Sequence, residues 1–94
     1  NITTGDIHQE NTVVNESRQE FLRVMEELKH EIEILKDDSA KEAIELIHEE
    51  TNTNSWNKKV IKFALDTVQK VGVTLAAKGV VTLGSKALAL LPLI

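Results

Sequence analysis

Ninety-four residues, 41% hydrophobic and without cysteine, describe one small domain that must be held by packing, with neither disulfides nor a thiolate-bound metal. The net charge of −4 is unevenly spread. Up to Ser55, five basic residues face fourteen acids, net −9, and from Trp56 onward six lysines face Asp66 alone, net +5. An acidic half joined to the basic one repels phosphate, so no nucleic acid is expected as a partner, and the two halves are expected to attract each other.

One Trp, two Phe and no Tyr leave the packing to Leu, Ile, Val and Ala, which suits helices at close range. The chain starts at Asn1 and its one methionine is Met25, from which we expect a processed product or a piece of a longer protein. No basic start followed by an apolar stretch marks a retained signal peptide. The absence of cysteine fits a cytoplasmic setting, with membrane association as the alternative. The sequons Asn1-Ile2-Thr3 and Asn15-Glu16-Ser17 are short enough to arise by chance and carry no expectation of glycosylation.

Residues 1–16 read as a polar arm. Gly5-Asp6 is a turn signal, and Thr12-Val13-Val14 suits one short strand that lacks a partner, so the arm is expected to be flexible or edge-pairing. The helical domain then spans 17–94. Ser17-Arg18-Gln19-Glu20 and Ser39-Ala40-Lys41-Glu42 share the S-x-x-E pattern of a capping box. After the first, Phe21, Met25, Leu28, Ile32 and Leu35 step by four and three, predicting a helix over about 17–36. After the second, Ala40, Ala43, Ile44 and Ile47 mark a shorter helix over about 40–50, expected to fray at Glu49-Glu50. These two form an acidic hairpin. TNTNS at 51–55 is the linker, with Asn54 or Ser55 as the next cap.

From Trp56 to the end the chain is basic and apolar. Trp56, Val60, Phe63, Ala64, Val68, Val71 and Leu75 follow helical spacing, while Asp66, Lys70, Thr74, Lys78, Thr82 and Lys86 recur every four residues. Each such step drifts by about 40° on a helix, so one straight rod would wind this polar stripe about 200° round itself. A break near Gly79 or Gly84 is therefore expected, dividing helices over about 56–77 and 80–91, with Pro92 closing the second. The fold class is all-α: a small bundle of three to four helices, built from the acidic hairpin and a long, kinked apolar C-terminal helix.

The last two dozen residues hold more Leu and Val than one amphipathic seam covers. Two interior lysines, Lys78 and Lys86, oppose a membrane span, though a lysine stripe beside an apolar face suits the bilayer surface. Gly72, Ala76, Ala77, Gly79, Gly84, Ala87 and Ala89 allow close helix approach. The expected interface is thus Val71, Leu75, Val80, Leu83, Leu88, Leu90 and Leu91, shared between copies in a homo-oligomer. A membrane, another protein and a parent chain are the other candidate partners.

Chemistry finds little to stand on. Glu27-x-x-His30 and Glu45-x-x-His48 have the ligand spacing of di-iron bundles, but His30 points about 180° and Glu27 about 120° from the apolar seam. Neither a metal nor any other cofactor is expected. No phosphate-binding glycine loop, HExxH or GxSxG is present, and the adjacent Ser85 and Lys86 point apart on a helix, so catalysis is not expected. Trp56 is read as packing over its neighbours in preference to anchoring a partner.

Gly5-Asp6-Ile7, then Asn11-Thr12-Val13-Val14-Asn15, two acidic capped helices and a Gly/Ala-rich apolar end together resemble, in layout, the small accessory tails of bacterial multidomain proteins, including those of abortive-infection-like conflict systems. That resemblance implies a non-enzymatic oligomerising or effector-associated module. Its rival is a membrane-active effector, pore-forming or lipid-associated, whose C-terminal helices insert into or lie on a bilayer.

Overall fold

A computed structural model describes the backbone of residues 2–53 and 55–94, and the side chains from Val14 onward except position 54. Every regular element among the described residues is helical: α1 (Ile2–Leu35), α2 (Asp38–Thr51), α3 (Lys58–Thr74), α4 (Lys78–Leu90) and a closing 3-10 turn, Leu91–Leu93. The helices run up, down, up and down. α2 packs on α3, α3 on α4 and α4 on α1, while α1 and α2 touch only lightly along their length.

The α1 seam lies where the spacing places it. Phe21, Met25, Leu28 and Ile32 are buried together with Val24, and Leu35 is half-buried against them. The start differs from expectation. α1 begins at Ile2, so Ser17 is a buried residue inside the helix instead of its cap, and Thr12-Val13-Val14 has helical backbone instead of a strand. A lone strand leaves its backbone groups without partners, whereas a helix satisfies them locally, and no proline before Pro92 stops the helix. The side chains of residues 1–13 lie outside the described residues, as does Asn54.

α1 ends at Leu35, and Lys36 with a φ of 55° turns the chain while its amide donates to the Ile32 carbonyl at 3.1 Å. Asp37 then caps α2, its carboxylate accepting from the Ala40 amide at 3.0 Å, two residues ahead of the expected Ser39 cap. α2 presents Ala40, Ala43, Ile44 and Ile47 to the core, as their spacing predicts. It continues through Glu49-Glu50 to Thr51. Thr51 donates to the His48 carbonyl and Thr53 to that of Glu50, satisfying terminal acceptors that would otherwise invite fraying.

Asn57, beyond the expected Asn54 or Ser55, caps α3 by accepting from the Val60 amide at 3.3 Å. Trp56 therefore belongs to the linker. It lies half-buried with its ring centroid 5.5 Å from that of Phe21, and the Arg18 guanidinium sits 5.0 Å above it, which bolts the α2–α3 connection to α1. The Trp is a packing residue.

The buried face of α3 is Ile61, Ala64, Leu65, Val68 and Gly72, a register that turns Phe63 and Leu75 outward. The break comes at Leu75–Ala77, before either expected glycine. Ala76 takes φ 53°, the Ala77 amide donates to the Gly72 carbonyl at 2.8 Å and the Ala76 amide to that of Val73, which is a Schellman end with alanine where glycine is usual. The glycines serve packing instead. A Cβ on Gly72 would sit 2.9 Å from a Val81 methyl, and one on Gly84 would overlap the Gln69 carboxamide, so both mark where α3 and α4 close on each other. Breaking the helix at Ala76 keeps the whole four-residue stripe, from Asp66 through Lys86, exposed along two antiparallel helices.

Candidate functional site

The expected interface divides when its residues are placed. Val80 and Leu91 are buried in the chain's own core, and so cannot face a partner in this fold. Val71, Leu83, Leu88 and Leu90 are half-buried, packed against that core. Leu75 alone of the seven is exposed. The apolar tail thus finds more shelter in one copy than a single seam offers, because α4 lies against α1 and α3 at once.

In the C-terminal half, the large apolar residues left outside overlap with the expected interface only at Leu75. Phe63 is 70% exposed, Val73 69%, Leu93 55% and Leu75 47%. Phe63 and Val73 share the outward side of α3 with exposed Lys59, Lys62, Asp66 and Lys70. At about 100° per residue, Lys59 and Lys70 lie within about 40° of Phe63, so lysines frame the ring. Periodicity does not reveal this face, because Phe63 fits the helical spacing of the apolar residues as well as its buried neighbours do. The signal that separates them is charge, since Lys59, Lys62 and Lys70 gather on the side to which Phe63 turns.

The second feature is the open seam between α1 and α2. It forms a groove of about 710 Å³ with Leu22, Met25, Ile44 and Ile47 in its lining and Glu26, Glu45 and Glu49 among its charged residues. A smaller hollow of about 280 Å³ continues it toward the Lys36–Asp37 turn. The volume of the larger part lies in the range of about 300–1,000 Å³ in which ligand pockets are found. Leu22, fifth in sequence from Ser17, lies off the heptad seam, which is why the spacing of apolar residues does not point to the groove.

Few of the charges are paired. Among the described residues the ion pairs are Arg23 with Glu20 on α1, at 3.2 Å, and Lys86 of α4 with Glu20, at 3.5 Å. The second joins the basic half to the acidic half, and the remaining lysines of α3 and carboxylates of the groove face solvent. Glu27, His30, Glu45 and His48 are all exposed, and among the described residues no cluster of three or more His, Asp or Glu is placed to hold a metal ion. Ser85 accepts from the Gln69 carboxamide at 2.9 Å, tying α4 to α3.

Among the described residues no helix is long and apolar enough to cross a membrane. α4, at 13 residues, is about 20 Å long, against a hydrocarbon core of about 30 Å. Compared with family models, curated proteins and solved structures, the chain matches none.

Proposed function

We propose that this chain is a non-enzymatic self-association module, and that apolar side chains of its C-terminal half are covered between copies. The observation that supports this reading is the outward α3 face, where Phe63 and Val73 lie mostly in solvent beside Lys59, Lys62 and Lys70. An exposed aromatic beside lysines suits an interaction site, since aromatics are enriched among the residues that dominate the energetics of interfaces. Of the residues named by sequence spacing Leu75 stays in this set, while Phe63, Val73 and Leu93 take the place of the buried Val80 and Leu91.

Sedimentation equilibrium in plain buffer tests this. The wild-type chain gains mass with concentration, and Phe63→Ser with Val73→Ser stays at monomer mass with an unchanged helical spectrum. A wild-type chain that is monomeric at every concentration removes the reading. The rival is a lipid-surface helix, favoured by the same lysine-framed Phe63 and opposed by the acidic half at an anionic membrane. Flotation with anionic vesicles separates the two: association between copies predicts protein left in the bottom fraction.

A further inference from the structure

The exposed face of α3 and the α1–α2 groove are opposite in charge as well as in shape. Resting on the self-association reading, we propose that they are the two halves of one contact: the Phe63 face of one copy seats in the α1–α2 groove of the next, head to tail. The groove and its continuation carry six carboxylates, Glu26, Glu33, Asp37, Asp38, Glu45 and Glu49, against four cations. The α3 face carries Lys59, Lys62 and Lys70 against Asp66. These six carboxylates and the three α3 lysines are without ion pairs among the described residues, so pairing them between copies breaks no ion pair within one.

Geometry agrees with charge. Phe63 projects from the second turn of α3, and the groove offers the exposed Leu22 above the buried Met25, Ile44 and Ile47, with Glu26, Glu45 and Glu49 beside them together with Arg23 and Lys29. A helix laid in a groove between two others is a common recognition mode, with an aromatic anchor in the apolar floor and charges at the rim. Symmetric pairing is the alternative for a second copy, and it brings six lysines together, Lys59, Lys62 and Lys70 from each copy, with only two Asp66 to offset them. Like charges opposed across an interface cost several kcal/mol. The light α1–α2 contact supplies the open seam that a head-to-tail arrangement needs.

A contact between two different surfaces of the same chain leaves one free surface at each end of a dimer, so association continues past two copies until a ring closes or a fibre grows. The test uses two variants. Phe63→Glu with Lys62→Glu disables the α3 face, and Leu22→Lys with Glu45→Lys disables the groove; all four residues are exposed, so the fold is kept, and circular dichroism checks it.

Each variant alone sediments at monomer mass, because it retains one working surface and lacks its complement. Mixed in equal amounts they form a one-to-one dimer and go no further, since only one productive contact remains. Two monomeric variants that stay monomeric when mixed, while the wild type associates, overturn the head-to-tail contact and leave self-association standing. A wild type whose mass stops at the dimer also overturns it. A wild type that is monomeric throughout, with or without binding to vesicles, removes self-association itself.

Discussion

Ala76 sits at φ 53°, a left-handed backbone that costs a residue with a Cβ about 1–2 kcal/mol and glycine almost nothing. Glycine also loses more freedom on folding, an offset of about 0.4–1 kcal/mol. Ala76→Gly is therefore expected to stabilise the fold by about 0.5–1 kcal/mol, read as a higher urea midpoint with an unchanged slope. The neighbouring glycines work by space instead. Gly72 lies against Val80 and Val81, and Gly84 against Gln69, whose carboxamide donates to the Val81 carbonyl at 3.2 Å and to Ser85. Those pairs are roughly equidistant from Ala76, which is why the chain turns there: a break at Gly79 or Gly84 would take the small residues out of the contact they enable. A count of helix-breaking glycines in the sequence points to the right region and the wrong residue.

At the level of the elements, the caps decide the boundaries. Two S-x-x-E patterns look alike in the sequence, yet neither serine is an N-cap. Ser17 is buried inside α1, and Ser39 follows a helix already started by Asp37. An Asp preceded by a left-handed Lys36 is a local turn that pattern matching does not see, because lysine at positive φ has no sequence signature. Asp37→Ala is expected to cost about 1 kcal/mol of unfolding free energy, and Ser39→Ala within about 0.5 kcal/mol of none, in the same denaturant titration. If Ser39 proved the costlier change, the cap of α2 would have to be reassigned.

The helices themselves were legible for physical reasons. The Phe21 to Ile32 seam and the Ala40 to Ile47 face each have one apolar side, which fixes what turns inward. α3 is apolar on more than one side, with Val60, Phe63 and Val73 among its residues as well as the buried set, and there spacing leaves the inward direction open. The same ambiguity explains the candidate site. Val80 and Leu91 suit an interface by composition, and only the position of α4 between α1 and α3 shows them to be core.

Over the whole molecule, the acidic α1–α2 pair and the basic α3–α4 pair form the two sides of one bundle. Lys86 and Glu20 are the described ion pair between them, so the attraction that composition predicts is largely left unused within one copy. That leftover attraction, with Phe63 and Val73 uncovered, is the physical basis of the proposed association, and added salt should weaken it as screening shortens to about 8 Å near physiological ionic strength. Photochemical carbene labelling across a concentration series, read residue by residue by mass spectrometry, tests the central claim most directly. Labelling of Phe63, Val73 and Leu22 is expected to fall as the concentration rises, while that of exposed Ile34, which lies on neither proposed surface, stays constant. Labelling of Phe63 and Val73 that does not change, over a range in which the mass of the particle grows, would contradict it.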